Sequence, residues 1–206
     1  MVHIEKFVVG FLDTNCYVIT TTESDKAVII DAGGGYAAVS VYLNKNEKKA
    51  VAVLCTHGHF DHIKDAKRWQ NEGAPVYAHK EDEDLISGEK PIMEGMTFPI
   101  DFFTPDKFVK DGETLRFCEN MEFRVIHTPG HTKGGVCYVL NGKYVFSGDT
   151  LFFHSYGRTD FYGGDFESLS SSVNKILSIE GDMIVYPGHG ESTTLKEERL
   201  FNPLAQ

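Results

Sequence analysis

The stretch Val51-Ala52-Val53-Leu54-Cys55-Thr56-His57-Gly58-His59-Phe60-Asp61-His62 decides how this chain is read. An apolar run of strand length ends in a bend that carries three imidazoles and a carboxylate within six residues. Burying four such groups side by side is costly unless something binds them. Imidazole and carboxylate without thiolate suit zinc, and also iron or manganese. Gly58 lets the backbone turn sharply beside the ligands. The bend therefore reads as half of a metal site, and the other half should lie downstream.

Two more histidines sit in bends that follow strand-like runs: His131 in Thr128-Pro129-Gly130-His131-Thr132 and His189 in Tyr186-Pro187-Gly188-His189-Gly190. Asp149, in Ser147-Gly148-Asp149-Thr150, follows another. Loops at strand ends are where a rigid scaffold presents functional groups. A bridging carboxylate lets two cations sit ~3.5–4 Å apart around one water. Seven protein ligands fill two such sites and leave the water position open.

The 206 residues suit one domain spanning 1–206, and no linker, repeat or low-complexity tract divides them. A hydrophobic share of 41% with 24% charged residues fits a water-soluble fold. The net charge of -10 argues against a nucleic-acid partner, which needs a clustered basic surface. No apolar run is long enough to span a membrane, and the N-terminus has no secretory signature. The four cysteines, Cys16, Cys55, Cys118 and Cys137, lie apart in strand-like runs. They read as free thiols in a reducing cytoplasm. Cys55, just before the bend, is expected to point into the core.

Strands are predicted over 2–9, 16–21, 26–31, 50–55, 75–78, 114–117, 122–127, 135–140, 143–147 and 183–186, which are rich in Val, Ile, Phe and Tyr. Asn141-Gly142 marks a tight hairpin. Helices are predicted over 35–46, 60–72, 80–86, 166–179 and 193–201. Thr194 and Glu197 are spaced as a capping box for the last. This order fits an α/β (α+β) chain of two mixed sheets with helices on their outer faces. Segment 87–107, broken by Gly88, Pro91, Gly95, Pro99 and Pro105 yet rich in apolar residues, reads as packed onto the body. The alternative is a wall of the substrate cleft or a subunit contact.

The order His-x-His-x-Asp-His, Gly-His, Gly-Asp, Gly-His resembles the metallo-β-lactamase superfamily, and the likeness begins at Thr14-Asn15-Cys16-Tyr17 and Ile30-Asp31-Ala32-Gly33-Gly34. It implies a four-layer αββα sandwich with the metals at one edge of the two sheets. Carried over by position, it implies one metal on His57, His59 and His131 and another on Asp61, His62 and His189, bridged by Asp149. Asp31 and Thr56 resemble residues that orient ligands. Within the superfamily, Ser147-Gly148-Asp149-Thr150-Leu151-Phe152, Gly157-Arg158-Thr159-Asp160 and Gly188-His189-Gly190 are similar to short bacterial members of the glyoxalase II group. That likeness implies hydrolysis of a small-molecule thioester such as S-lactoylglutathione. The cofactor would be two divalent cations, zinc first, with iron or manganese as alternatives. Asp61, His59 and Asp149 would be the catalytic residues. It also makes Arg158 the candidate for a substrate anion, against a plain solvated arginine. Tyr156, Tyr162 and His154 are candidate pocket residues. Longer glyoxalase II proteins carry a C-terminal helical domain that contacts glutathione, whereas this sequence stops at Gln206.

The expected nucleophile is water activated by the cations, since Ser147 has no paired base. Rival readings are a mononuclear-iron persulfide dioxygenase, which shares a Gly-Arg-Thr-Asp stretch, and a lactone or β-lactam hydrolase on the same fold. A nucleic-acid phosphodiesterase lacks the basic arm it would need. A structural metal site would close its coordination sphere, which this donor set does not. Among the other histidines, His3 reads as exposed, His79 as a cap or packing residue, and His127 as lying outside the ligand pattern.

Overall fold

The computed structural model describes residues 1–91 and 100–205. Six strands, β1 (Val2–Val9), β2 (Thr14–Thr21), β3 (Ser24–Ile30), β4 (Lys49–Leu54), β5 (Val76–His79) and β6 (Lys107–Val109), form one sheet in sequence order. Its first pairs are antiparallel, and β3 to β6 run parallel. The second sheet draws on β7 (Thr114–Cys118), β8 (Met121–His127), β9 (Val136–Leu140), β10 (Tyr144–Gly148), β13 (Ile184–Pro187) and β14 (Thr193–Thr194). Between β10 and β13 lies a short ribbon of β11 (Leu151–Phe152) and β12 (Ser155–Tyr156).

Strict alternation along the central strands explains the layering, because successive side chains leave a strand on opposite faces. In the first sheet, Tyr17, Ile19, Val28, Ile30, Ala52 and Leu54 turn toward the second sheet and meet Phe123, Val125, Tyr138, Leu140 and Phe146. Their alternates, Val18, Ile29, Val53 and Cys55, pack outward against Val39 and Leu43 of α1 (Tyr36–Lys45), Ile63 of α2 (Phe60–Ile63) and Trp69 of α3 (Ala66–Asn71). A four-residue helix, α4 (Glu83–Ile86), follows β5. On the far side, Cys137, Val139 and Val145 meet Val173 and Ile176 of α5 (Phe166–Leu177) and Leu195 of α6 (Leu195–Phe201). The result is the αββα sandwich expected from the sequence. Each fully buried Leu, Ile or Phe in these layers favours the fold by about 1.5–3 kcal/mol over exposure.

Local signals act as their chemistry dictates. Asn141 and Gly142 both take positive φ, 51° and 64°, in the β9–β10 turn. Asp165 caps α5 through Ser168 N at 2.8 Å. Thr194 caps α6 by accepting from Glu197 N at 3.1 Å. Three helices differ from expectation, the run 80–86 being a 3-10 turn (Lys80–Asp82) followed by α4. The run 60–72 is two short helices, because Asp65 N bonds Ala32 O at 2.8 Å instead of continuing the helical ladder. The run 193–201 starts as a strand, Thr193 pairing with Val185, before α6 begins.

Of segment 87–107, the flanks pack onto the body: Phe103 is buried and β6 adds to the first sheet. Ile92, Met93, Met96 and Phe98 lie outside the described residues. Cys16, Cys55 and Cys137 are buried free thiols, Cys55 within the outer core, and Cys118 is half-buried. Among the described residues no helix is long and apolar enough to cross a membrane.

Strand direction places the site. β8 and β9 pair antiparallel, as do β9 and β10, while β10 and β13 pair parallel, so β8, β10 and β13 point the same way. The bends after their C-terminal ends, with the bend after β4, open on one edge of the sandwich.

Candidate metal centre

At that edge the ligand candidates converge. His57 Nε2 and His131 Nε2 lie 3.1 and 2.9 Å from His59 Nδ1. His62 Nε2 is 3.3 Å from His189 Nε2 and 3.4 Å from Asp61 Oδ2, which is itself 3.3 Å from His189 Nε2. Asp149 stands between the groups: Oδ1 is 3.4 Å from His62 Nε2, and Oδ2 is 3.4 Å from His131 Nε2 and 3.6 Å from His189 Nε2. The rings of His57, His59 and His131 are nearly perpendicular to one another, at 79–84°. That lets three lone pairs aim at one point.

The outward faces of these imidazoles explain their orientation. A ring nitrogen that donates its proton outward leaves the other nitrogen bare and facing inward. His62 Nδ1 donates to Asp31 Oδ2 at 2.8 Å, His131 Nδ1 to Arg158 O at 2.7 Å, and His189 Nδ1 to Leu12 O at 3.0 Å. Thr56 Oγ1 donates to Asp31 Oδ2 at 2.7 Å and so accepts from His57 Nδ1 at 3.1 Å. Asp31 therefore steadies one histidine directly and another through Thr56. It does so from a left-handed backbone, φ 55°, a conformation Asp tolerates better than most residues. Gly188 is required by space: a Cβ there would lie 2.2 Å from Asp149 Oδ1 and 2.7 Å from His62 Cε1.

Electrostatics divide the cluster. Burial, reinforced by neighbouring imidazoles, drives His57 and His59 well below the usual histidine range, so both are neutral. Burial opposes charge on His62 too, but Asp61, Asp149 and Asp31 outweigh it and push its pKa up to about 10. Asp61, despite burial, is held below the ordinary carboxylate range chiefly by His62. The carboxylates thus create a field that retains a positive charge at this point. Within the cluster, two buried atoms have no hydrogen-bond partner, His59 Nε2 and Asp149 Oδ1. In the metal-free protein Asp149 Oδ1 faces the charged His62 at 3.4 Å but makes no hydrogen bond, the position a metal ion would fill. The donor set, the bare inward nitrogens and this orphan oxygen fit two divalent metal ions.

A second histidine group is built differently. His79 and His127 stack 4.1 Å apart at 16°, beside Glu81. Two parallel rings cannot both direct lone pairs at one ion, and His127 Nε2 already bonds Lys133 O at 2.9 Å. His79 accepts from Glu81 N at 3.4 Å, a capping contact, and His3 is exposed.

A cleft of about 320 Å³ opens over the centre, lined by Leu12, Phe60, Phe152, Phe161 and Arg158 together with His59, Asp61, His131, Asp149 and His189. Three residues expected in the pocket are not among those lining it. His154 turns to α6, its Nε2 3.1 Å from Glu197 Oε1 and its ring stacked on Phe153. Tyr156 packs on the outer core near Phe166. Tyr162 donates its hydroxyl to Asp84 Oδ2 at 2.8 Å and carries Lys133 over its ring. For His154 and Tyr162 a nearer partner claims the polar end. The apolar lining of Leu12, Phe60, Phe152 and Phe161 was not foreseen, because these residues lie in separate short elements and loops whose meeting has no sequence signature.

Two supporting residues were also missed. Thr14 Oγ1 donates to Asp61 Oδ2 at 2.8 Å. Asp82, buried, accepts from Gly58 N at 2.8 Å, Thr132 Oγ1 at 2.8 Å and Gly134 N at 2.7 Å, tying the His57–His59 bend to the His131 bend. In sequence it sits in the run Lys80-Glu81-Asp82-Glu83-Asp84, where nothing marks it off from a solvated helix start.

The sequence profile of the metallo-beta-lactamase superfamily matches residues 9–189, which take in every one of these ligand candidates. The chain belongs to the metallo-beta-lactamase superfamily. It is 35% identical to the hydroxyacylglutathione hydrolase GloC of Haemophilus influenzae over 98% of this chain and 97% of that one. Among solved structures it is similar to the BLEG-1 B3 metallo-beta-lactamase, with a TM-score of 0.88 and 35% identity over 99% of this chain and all of that one. It also matches TTHA1623 in a di-iron-bound form, with a TM-score of 0.84 and 33% identity over 97% of this chain and 98% of that one. The histidines and aspartates gathered at this edge of the sandwich are grouped closely enough to hold metal ions.

Proposed function

We propose that this chain is a dinuclear metal-dependent hydrolase that cleaves a small-molecule thioester. The observation that carries the reading is Asp149, whose carboxylate faces both histidine groups and whose Oδ1 has no hydrogen-bond partner. His57, His59 and His131 would hold one ion, Asp61, His62 and His189 the other, and Asp149 both. When bound, two such cations supply Lewis acidity, lowering the pKa of a shared water to about 7 and polarising a carbonyl oxygen. Zinc suits the nitrogen-rich donor set, and iron and manganese remain compatible with it.

The chain's own residues orient and exclude. Thr14 Oγ1 fixes the Asp61 carboxylate at the cleft wall. Leu12, Phe60, Phe152 and Phe161 give the cleft an apolar wall, so a substrate filling it would displace solvent and strengthen the charge interactions inside. Hydrolysis then adds the water oxygen to the carbonyl carbon, breaks the C–S bond and releases a carboxylic acid and a thiol. Thioester rather than lactone is favoured by the similarity to a relative named for hydroxyacylglutathione hydrolysis across nearly the whole of both chains. A single-iron dioxygenase would leave Asp61, His62 and His189 without a task. Free buried thiols support a reducing cytoplasm as the setting. Neither a nucleic acid nor a membrane is part of this proposal.

The test is substitution. Asp61→Asn and His59→Ala are expected to lower thioester turnover by about a hundred- to a thousandfold, as loss of a principal charge-stabilising group does. Circular dichroism should show the fold intact. Near-normal turnover in either variant would refute the dinuclear scheme.

A further inference from the structure

The bend that carries His131 is gripped from two sides, and one grip comes from a histidine outside the metal centre. His127 ends β8, just before the bend. Its ring Nε2 lies 2.9 Å from Lys133 O. A carbonyl oxygen only accepts, so this nitrogen carries a proton and donates it. Lys133 O and Gly134 N belong to one planar peptide unit. From the other edge of that plane, Gly134 N donates to Asp82 Oδ1 at 2.7 Å. A peptide held at both its oxygen and its N–H cannot turn without breaking one of the two bonds. Thr132, next to His131, donates from Oγ1 to Asp82 Oδ2 at 2.8 Å. The fit is close, since a Cβ at Gly134 would lie 2.6 Å from Asp82 N.

The donor is itself held. The His127 ring stacks on the ring of His79, 4.1 Å away at 16°, and His79 ends β5 in the other sheet. His127 N donates to Asp111 Oδ1 at 2.8 Å. Lys175 Nζ, from α5, donates to Asp111 Oδ1 and to His127 O, both at 3.0 Å. His79 and Asp82 lie on one short stretch after β5, so the first sheet meets the bend at both grips. The same Asp82 accepts from Gly58 N at 2.8 Å, between His57 and His59. We infer that His127 is a positioning residue for the metal ion on His57, His59 and His131: by fixing the peptide between Lys133 and Gly134, it sets where His131 points. The inference rests on the dinuclear reading of the site. His127 acts through His131 and needs no contact with ion or substrate.

Release of zinc from the loaded protein into a chromophoric chelator, with no substrate present, tests this. His127→Phe keeps a flat ring against His79 and removes the donor, whereas His127→Gln keeps an N–H donor. Asp61→Asn identifies the release phase of the ion on Asp61, His62 and His189, which it should speed. In His127→Phe the other ion should leave about three- to tenfold faster, at or below the roughly ten- to hundredfold effect of groups bonded directly to a ligand. The ion on Asp61, His62 and His189 should keep its wild-type rate, and His127→Gln should recover most of the loss. Unchanged release in His127→Phe, equal acceleration of both ions, or no recovery in His127→Gln would overturn the inference. Should His127→Phe fail to fold, His79→Ala removes the ring behind the donor and should speed the same ion, and an unchanged rate there would count against the role of His127. If the wild type holds a single zinc, the dinuclear reading fails. Faster release of that ion from His127→Phe than from His127→Gln would still uphold the positioning role, and equal rates would refute it.

Discussion

His59 is the histidine of the cluster that turns Nδ1 inward, while its Nε2 is buried without a partner. The other four ligand imidazoles expose Nε2 because a backbone carbonyl, Asp31 or Thr56 claims Nδ1. This has a consequence for acid stability. His57 and His59 have depressed pKa values, so the unfolded chain binds protons that the folded one refuses. Their contribution is present above the unfolded pKa of about 6.5 and is lost as pH falls below it. His62 has the opposite shift, up to about 10, and its contribution is already complete below about 6.5. Chelated protein should therefore lose thermal stability between pH 7 and 5, and a melting temperature that rises over this interval would contradict the assignment. Asp82 makes a separate claim. Asp82→Ala strips three donors of a buried acceptor and should cost about 3 kcal/mol or more in denaturant melts, with weaker metal retention. An effect below about 1 kcal/mol would show that the two bends are held otherwise. The ligand candidates were legible in sequence because metal chemistry restricts residue type and spacing. Asp82 and the cleft's aromatic lining were not, since their roles depend on which loops meet.

At the scale of elements, strands were readable as apolar runs rich in Val, Ile, Phe and Tyr where both faces are buried, as in β9 and the C-terminal halves of β3 and β4. What periodicity could not show was interruption. The 60–72 run has helical spacing, but the close approach of Gly33 to the carbonyl of Asp61 and the bond from Asp65 N to Ala32 O end the first helix after one turn. A Cβ at Gly33 would fall 1.6 Å from Asp61 O, so Gly33→Ala must push the ligand-bearing turn aside. We expect a loss of about 2–4 kcal/mol in chemical denaturation, together with reduced metal binding. A silent substitution would mean the loop relaxes freely. The strands of two or three residues, β6, β11, β12 and β14, escaped sequence reading because such short runs carry too little pattern to stand above their flanks.

For the whole molecule, the site joins the two halves of the sandwich: the bend after β4 supplies His57, His59, Asp61 and His62, while the second sheet supplies His131, Asp149 and His189. Metal binding should therefore stabilise the association of the sheets as well as the site. Two sheets with outer helices could be argued from the order of elements, but the convergence of residues some 130 positions apart could not. That came from the resemblance of the ligand motifs, and the geometry now supplies its physical basis. Anomalous scattering from zinc-soaked crystals tests the central claim most directly. Two peaks about 3.5–4 Å apart are expected, one among His57, His59 and His131, the other among Asp61, His62 and His189, with Asp149 reaching both. A single peak at saturating zinc, or peaks away from these residues, would contradict it.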